Sequence, residues 1–300
     1  GTYRRECAQA SPISASRMSA MDKVLASDAF QGRAPGTPGE AKTIAWLIAQ
    51  LKALHLEPAG PGGSWTQPVP LVRTKLGTGS YSVSVDGRAV PLAFAKDIYV
   101  STLRPLDRVT LSQAPMVFVG YGVHAPERGW DDFKGVDLHG KVAVMLVNDP
   151  DFEAGPGDDS VGKFGGRRMT YYGRWTYKYE EVARRGAIAA LIVHDTPGAG
   201  YGWETVSAPQ GENYDVASAT GRLTLQGWLE GAAAASLFQS ASLNLDQLRK
   251  AARRSNFMPV QMRTRFSADV SVSHEELMSH NVLAKIRGSA RSDEVVMYGA

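Results

Sequence analysis

The sequence predicts an α/β protein in two parts, and three features of the chain support this prediction. Apolar residues recur at helical spacing between residues 16 and 54. Beyond Leu103 the pattern changes to short apolar runs of buried-strand length, separated by Gly-rich turns. Two further strand-like runs lie at 281–300. With 300 residues, of which 43% are hydrophobic, the chain can form two domains with cores of their own.

The first stretch with a regular pattern is a short helix. Residues 1–15 show no period, so we expect them to form a flexible arm. Met18, Met21 and Leu25 then fall at helical spacing, with polar side chains between them. These positions predict one short helix after the arm.

A second helix has a clear start. Thr37 is placed as its N-cap, Pro38 occupies the first helical position, and Glu40 completes a capping box. The helix is predicted to run to about Leu54. Because its apolar residues form one stripe, we expect it to pack against a sheet or another helix.

Strand signals follow. Residues 69–72 can form a strand, and the alternating residues on either side of Asp86-Gly87 predict a hairpin with a type I′ turn. Apolar runs and helical spacing predict the remaining elements up to residue 272. They are strands at 116–119, 142–147 and 188–193, a helix at 177–185 ended by Gly186, helical residues at 231–254 in two pieces, and an edge-like strand at 265–272.

The end of the chain predicts a return to the first part. Residues 282–286 and 294–298 have the composition of two strands, joined by a polar turn at 288–293. We expect residues 16–111 and 273–300 to form one α/β domain. Residues 112–272 would form a β-rich unit inserted into it.

Composition excludes several function classes. The formal net charge is +3, and Lys and Arg are scattered, which does not favour a nucleic-acid partner. The single cysteine, Cys7, excludes an internal disulfide framework and a cysteine-based zinc site. No apolar run approaches the about 20 residues that a membrane-spanning helix needs.

One stretch partly matches a phosphate-binding loop. Gly157–Lys163 has the first seven positions of the P-loop pattern, but Phe164 stands where Ser or Thr must hold magnesium. Two carboxylates occupy the segment where phosphate would bind. The pattern therefore favours a surface loop over a nucleotide site.

Another stretch partly matches a zinc-binding helix. His274-Glu275 begins a His-Glu-x-x-His pattern, but Met278 stands where the second histidine is needed. His280 is two positions too late to share a helix face with His274. A solvated linker is the more economical interpretation. On residues alone, then, the chain has no catalytic residue and no metal ligand that we can name.

Three stretches resemble one known family. Residues 25–40 (LASDAFQGRAPGTPGE) resemble the N-terminal segment of the co-catalytic di-zinc aminopeptidases, a family that includes the glutamate carboxypeptidases and the transferrin receptors. Residues 116–195 resemble the protease-associated domain that many members carry as an insert. Within it, VGYGV at 119–123, DLHGKV at 137–142 and ARRGAIAALI at 183–192 follow the pattern. Residues 281–288 and 294–300 resemble the return to the catalytic sheet.

The resemblance implies a fold and an activity. The chain would be the N-terminal part of a zinc-aminopeptidase-like α/β domain with an inserted β-rich protease-associated domain, which acts as a lid. The complete protein would hydrolyse N-terminal residues of peptides with a di-zinc-activated water. It would be periplasmic or secreted. Peptide substrates would be its partners, without nucleic acid and without a membrane span.

The same resemblance places the metal site outside the chain. In the family, a strand ending in Gly-Ala is followed by His-x-Asp, whose histidine is the first zinc ligand. Here Gly299-Ala300 ends the sequence, so two zinc ions and all their ligands are expected after Ala300. The chain by itself is expected to be inactive. An alternative remains open: a non-catalytic receptor or binding protein of the same fold that has lost its zinc site.

The resemblance also proposes substrate-binding residues. In related glutamate carboxypeptidases, the stretch that matches residues 171–178 reaches over the zinc cleft and holds the substrate. This implies that Tyr172, Arg174, Trp175 and Tyr177 line that cleft in the complete protein. The alternative is that Trp175 and the tyrosines anchor the loop to the core of its own domain.

Overall fold

The computed structural model describes residues 13–300. Nearly all of the predicted arm at 1–15, and Cys7 with it, lies outside the described residues. The predicted α/β class is confirmed, because helices accompany a sheet of nine strands with both parallel and antiparallel pairs. The chain forms two compact units. One comprises the described residues up to Leu71 together with Leu277–Ala300, and the other comprises Val72–Glu276.

The helices and strands of the described residues are as follows. The α-helices are α1 (Ala15–Leu25), α2 (Pro38–Ala53), α3 (Trp175–Arg184), α4 (Thr196–Ala199), α5 (Trp203–Ser207), α6 (Gly231–Ser240) and α7 (Leu245–Ala251). The strands are β1 (Glu57–Pro58), β2 (Thr66–Val85), β3 (Arg88–Leu92), β4 (Ile98–Ser101), β5 (Arg108–Phe118), β6 (His124–Ala125), β7 (Trp130–Asp131), β8 (Val142–Leu146), β9 (Ala189–Val193), β10 (Glu212–Val216), β11 (Leu225–Leu229), β12 (Val260–Val282) and β13 (Ala284–Lys285). No helix among residues 13–300 has the length and apolar character needed to cross a membrane.

In the first unit, α2 begins as predicted. The Glu40 backbone N–H donates to the Thr37 hydroxyl at 3.3 Å, so Thr37 is the N-cap. The Glu40 carboxylate returns to the backbone, but it accepts from the Gly36 N–H at 2.6 Å and not from that of Thr37. The expected capping box is therefore present with its reciprocal bond shifted by one residue.

The end of the chain differs from the sequence-based prediction. Only Ala284–Lys285 of the predicted strand 282–286 forms a separate strand, and it pairs with Glu57–Pro58. The predicted strand at 294–298 is absent, and its apolar side chains from Val295 to Tyr298 are exposed. An apolar run becomes a strand only when another strand pairs with it, and none among the described residues does so.

In the second unit, the central strands of the sheet are parallel. The strand order is β10-β2-β12-β5-β8-β9-β11-β4, with β3 on the outer side of β2. Four strands lie side by side in the order β5, β8, β9 and β11, and the three pairs that they form are parallel. β4 joins β11 antiparallel, and β12 joins β5 antiparallel.

Several predicted elements of this unit are confirmed. β8 and β9 match the two predicted buried strands closely, and both are fully buried along their length. The hairpin turn has positive φ at Asp86 (49°) and Gly87 (78°), as a type I′ turn requires. The helical region at 231–254 forms two helices, with Ser242 at φ 58° between them.

One prediction for this unit is corrected. Residues 265–272 were expected to form an edge strand, but β12 lies between β2 and β5. Its alternate side chains Phe266, Ala268 and Val270 are buried, which shows that one face is covered, but alternation does not distinguish an edge strand from an interior one. The predicted insert, 112–272, stays a prediction; Ser112 lies inside β5, and the compact unit begins at Val72.

The sheet buries side chains on both faces, as parallel sheets do. Because successive strand residues point to opposite faces, Val144 and Leu146 belong to one apolar cluster, and Ala143 and Met145 to the other. Helix α6 packs through Phe238 on the first face. Helix α3 packs on the second face through Tyr179 and Val182, together with Tyr99 of β4 and Trp228 of β11.

Candidate functional site

The predicted substrate-binding segment is a turn that leads into α3. Residues Tyr171–Gly173 form a short 3-10 helix. Thr170 holds it, since its hydroxyl accepts from the Tyr172 N–H at 3.3 Å and donates to Asp149 at 2.8 Å. Glycine is favoured at position 173, because a Cβ there would lie 2.7 Å from the Met169 Cγ and 2.8 Å from the Asp149 carboxylate, and both side chains would have to shift. The turn thus has a defined geometry.

Tyr172 and Tyr177 belong to one aromatic cluster. Their ring centroids are 5.1 Å apart and nearly perpendicular, and Tyr172 also contacts Phe164 edge-on at 5.9 Å. Tyr177 is 3% exposed, and its hydroxyl accepts from the His124 N–H at 3.0 Å. In this structure Tyr177 therefore connects α3 to strand β6 at His124, and its side chain is almost fully buried.

Tyr172 is only partly buried. Its hydroxyl donates to Glu127, and this hydrogen bond raises the pKa of Tyr172 above its ordinary value. The Arg128 guanidinium lies over the same ring, 5.5 Å from its centroid. The ring is thus held from two sides.

Arg174 and Trp175 are separate from this cluster. Arg174 is exposed, and its guanidinium makes no hydrogen bond or ion pair with a described residue. Trp175 is 45% exposed, and its ring centroid lies 6.0 Å from that of Tyr179, which is about one helical turn further along α3. The structure therefore brings Tyr172 and Tyr177 together and leaves Arg174 and Trp175 at the surface.

Two adjoining cavities lie beside Trp175, within the second unit. Their volumes are about 190 and 230 Å³. We call them together the Trp175 groove. Four residues line both cavities: Trp175, Tyr179, Asn213 and Gln226.

Strand β11 supplies the floor of the groove. Gln226 and Trp228 are on the sheet face that α3 covers, because Leu225 and Leu229 belong to the opposite apolar cluster. Gly227 between them must be glycine, since a Cβ would lie 1.9 Å from the Tyr99 carbonyl. The Tyr179 hydroxyl donates to the Gly227 carbonyl at 2.7 Å and holds α3 at this point.

The polar groups of the floor differ in their partners. The Asn213 amide donates to the Ser101 hydroxyl at 2.9 Å, and its oxygen accepts from the Tyr214 N–H at 2.9 Å. Gln226 is 6% exposed, yet its side-chain amide has no hydrogen bond to any described residue. Since Gln226 lines both cavities, its amide is available to a molecule in the groove.

The two cavities have different linings. The first carries Glu180, Asp215 and Arg222, and the Arg222 guanidinium is 2.8 Å from Asp215 and 3.7 Å from Glu180. The second is mainly aromatic and apolar. Its lining includes Tyr99, Tyr201, Val206, Pro209 and Trp228.

A charged cluster lies buried behind α3. Lys178 is fully buried and donates to the backbone carbonyls of Tyr121 and Asn148, the latter at 2.9 Å. Burial lowers the pKa of Lys178 to about 8, although the carboxylates of Asp149 and Asp132 oppose that shift. Burial also raises the pKa of Asp132 to about 7. Because no solvent reaches these groups, we assign them to the stability of the turn and not to chemistry.

The residues described do not fit a metal centre. Within 13–300, no group of three or more His, Cys, Asp or Glu side chains converges in a way that could hold an ion. His274 and His280 both lie in strand β12, where the helical His-Glu-x-x-His arrangement cannot form. Gly157–Lys163 lies in turns without a following helix, so it also lacks the context of a phosphate-binding loop.

Sequence reasoning missed Gln226 and Asn213. Gln226 is the one polar residue in the apolar run LQGWL at 225–229, and a lone polar residue in a buried strand was the available signal. Asn213 lies in β10, for which no strand was predicted. Trp175 is the single residue shared by the predicted site and the groove.

No protein-family model matches the chain, and no curated protein matches it either. Solved structures do align with it. An aminopeptidase from Aneurinibacillus sp. strain AM-1 is 19% identical, with a TM-score of 0.41, over 94% of this chain and 50% of that one. A peptidase M28 precursor from Shewanella amazonensis SB2B is 14% identical, with a TM-score of 0.33, over 94% and 55%.

A third solved structure, a zinc aminopeptidase from Bacillus subtilis, is 13% identical, with a TM-score of 0.36, over 90% of this chain and 46% of that one. The chain therefore spans about half the length of the solved structures it aligns with. All three are described as peptidases or aminopeptidases.

Proposed function

We propose that this chain is the N-terminal and lid portion of a zinc-dependent aminopeptidase. The observation that carries the proposal is the order of three stretches, 25–40, 116–195 and 281–300, each of which resembles the matching part of that family. The observed α/β class is compatible with it. On this proposal the complete protein acts on peptides, in the periplasm or outside the cell.

The protease-associated insert is proposed at 112–272. This range lies wholly inside the compact unit Val72–Glu276. Its central strands β5, β8 and β9 are parallel, and they carry an apolar cluster with α6 on one face and a second cluster with α3 on the other. The insert would therefore be a stable body that presents the α3 turn.

The chemistry of the complete protein would depend on residues that follow Ala300. When bound there, two zinc ions would supply hydroxide and polarise the scissile carbonyl. We place no zinc ligand in residues 13–300, in keeping with their arrangement. The role of this chain would be to hold and orient the substrate.

Within the lid, the proposed contacts fall into two kinds. Arg174 and Trp175 are exposed and could contact a peptide directly, the guanidinium by paired hydrogen bonds to a carboxylate or carbonyl. Tyr172 and Tyr177, which we also proposed as cleft residues, hold the turn through Glu127 and His124. Their part would be to fix the direction in which Arg174 and Trp175 point.

The test uses the complete protein, extended beyond Ala300. In Arg174→Ala and Trp175→Ala, we expect kcat/KM on a peptide substrate to fall by about 1–3 kcal/mol of transition-state binding, with unfolding stability unchanged. Arg167→Ala is the matched control, since Arg167 is exposed in the preceding loop and was not assigned to the cleft.

Unchanged kinetics in Arg174→Ala and Trp175→Ala together would end the lid proposal. A complete protein that lacks His-x-Asp after Ala300 and binds no zinc would instead favour the alternative, a non-catalytic receptor or binding protein of the same fold. These two outcomes are independent, because the first concerns substrate contacts and the second concerns the metal.

A further inference from the structure

We infer that the Trp175 groove binds an extended peptide segment in which a basic residue is next to an apolar one. The backbone of the segment would pair with Gln226, its apolar side chain would enter the aromatic cavity, and its basic side chain would lie between Trp175 and Glu180. The inference rests on the proposed function in one respect, since both place Trp175 against a peptide. It concerns binding alone and needs no metal.

Gln226 is the first observation. A primary amide carries one acceptor oxygen and two donor hydrogens in one plane, so it can pair with the C=O and N–H of one peptide group at the same time. Gln226 is 6% exposed, and its amide has no hydrogen bond to the described residues. The amide atoms are not among the fully buried polar atoms without a partner, so they open on the groove, where a peptide would replace water as their partner.

The aromatic cavity is the second observation. Tyr99 and Trp228 are 7% and 6% exposed, and Tyr201 and Pro209 complete the wall. Ser101, Thr205 and Glu212 also line this cavity, and the Glu212 carboxylate accepts from the Tyr214 hydroxyl at 2.8 Å. Aromatic walls with a small number of polar groups are the usual setting for an apolar ligand group. Its volume of about 230 Å³ is sufficient for one large side chain.

The charge of the first cavity is the third observation. Its charged lining consists of two carboxylates, Glu180 and Asp215, and one guanidinium, Arg222. Arg222 donates twice to Asp215, at 2.8 and 3.3 Å, and it also forms an ion pair with Glu180 at 3.7 Å, where 43% of the Glu180 side chain stays exposed. One guanidinium thus faces two carboxylates, so this half keeps a net negative charge.

The exposed ring of Trp175 lines the same cavity as Glu180. A carboxylate and an indole face together favour a cationic side chain, through charge attraction and a cation–π contact. An acidic side chain would meet Glu180 without a free cation, because Arg222 is already paired with Asp215. The groove thus selects a basic residue at this end.

The experiment measures binding of blocked tetrapeptides to the 300-residue chain, by titration calorimetry and by the change in tryptophan fluorescence, to which Trp175 and Trp228 of the groove contribute. The probes are acetyl-Ala-Lys-Phe-Ala-amide and acetyl-Ala-Phe-Lys-Ala-amide, so both directions are covered. We expect at least one to bind saturably, and replacement of its Lys by Glu or of its Phe by Ala to weaken binding by about tenfold.

Three variants separate the contacts. Gln226→Met keeps the length and the buried character of the side chain but removes the amide, so we expect about tenfold weaker binding of the best probe. Glu180→Gln should abolish the preference for Lys over Glu with little change in Tm, because the Glu180 side chain is 43% exposed and its ion pair with Arg222 is long, at 3.7 Å. Trp175→Ala should weaken binding, and the control Arg167→Ala, at an exposed position outside the groove, should not.

If neither Lys-containing probe binds saturably up to about 10 mM, the inference is overturned, because a specific peptide site should have a Kd below this concentration. Equal binding of the Lys and Glu probes would overturn the charge selection. If Gln226→Met does not fold, Glu180→Gln and Trp175→Ala still decide. The blocked probes have no free N-terminus, so their binding does not depend on aminopeptidase activity. If the complete protein shows no aminopeptidase activity, the probes can still bind. If the probes do not bind, the groove inference fails and the proposed activity is judged by its own assay.

Discussion

At the scale of single residues, the most unusual group is Lys178. It is a lysine with no exposed surface, held by two backbone carbonyls and near two carboxylates, Asp132 and Asp149. Removing one member of a buried charged cluster leaves the others without compensation. We therefore expect the stability of the fold to depend on the charge of Lys178.

We expect Lys178→Met to lower the free energy of unfolding by about 3–5 kcal/mol at neutral pH. The difference from the original protein should also grow with pH. The native state releases the Lys178 proton near pH 8, whereas the unfolded chain keeps it up to its ordinary value of 10.5. Between these values the unfolded state binds more protons, so the stability of the original protein rises with pH, and the variant lacks that rise.

Urea unfolding at pH 7 and pH 9.5 would measure both effects. Lys96→Met is the control, because Lys96 is exposed and should change neither the stability nor its pH dependence. A stability difference between Lys178→Met and the original protein that stays constant over this pH range would contradict the lowered pKa of Lys178.

At the scale of elements, the turn before α3 decides which side chains reach the surface. Gly173 lies against the Asp149 carboxylate, which is itself held by the Thr170 N–H at 2.7 Å and the Thr170 hydroxyl at 2.8 Å. The carboxylate therefore has no freedom to retreat. Arg174 and Trp175 leave the turn at the next two positions, so their direction follows from this packing.

We expect Gly173→Ala to destabilise the protein by about 1–3 kcal/mol, because its Cβ would lie 2.7 Å from the Met169 Cγ and 2.8 Å from an Asp149 oxygen that Thr170 holds by hydrogen bonds. Thermal unfolding and amide hydrogen exchange across residues 170–178 would measure it. Gly155→Ala is the matched control, since a Cβ at Gly155 has no atom within 4 Å. Equal stability of the two variants would show that the turn can adapt.

At the scale of the whole molecule, the 300 residues hold a complete sheet core but no metal centre among residues 13–300. Tight zinc binding needs three or four His, Cys or carboxylate ligands that converge. On the proposed function, metal binding and substrate hydrolysis would therefore need residues beyond this chain.

We expect the 300-residue chain to bind no stoichiometric zinc and to hydrolyse no aminoacyl substrate. Elemental analysis after dialysis against zinc, with an aminoacyl-anilide assay, would measure this. The comparison is the same assay on the complete protein. Stoichiometric zinc with activity in the 300-residue chain would refute the expectation.

What the sequence determined by itself was local. Thr37, Pro38 and Glu40 predicted the start of α2, and Asp86-Gly87 predicted the hairpin turn, because caps and turns depend on residues a few positions apart. The apolar runs of β8 and β9 predicted buried strands, since a strand covered on both faces needs no alternation.

The tertiary structure decided what depends on residues distant in sequence. β12 alternates like an edge strand but lies between β2 and β5, and residues 294–298 are apolar but have no pairing strand among the described residues. Tyr177 and Trp175 are two positions apart, yet one is buried against His124 and the other opens on the groove with Gln226. Periodicity gives the face on which a side chain lies, but only packing between distant elements decides whether that face is covered.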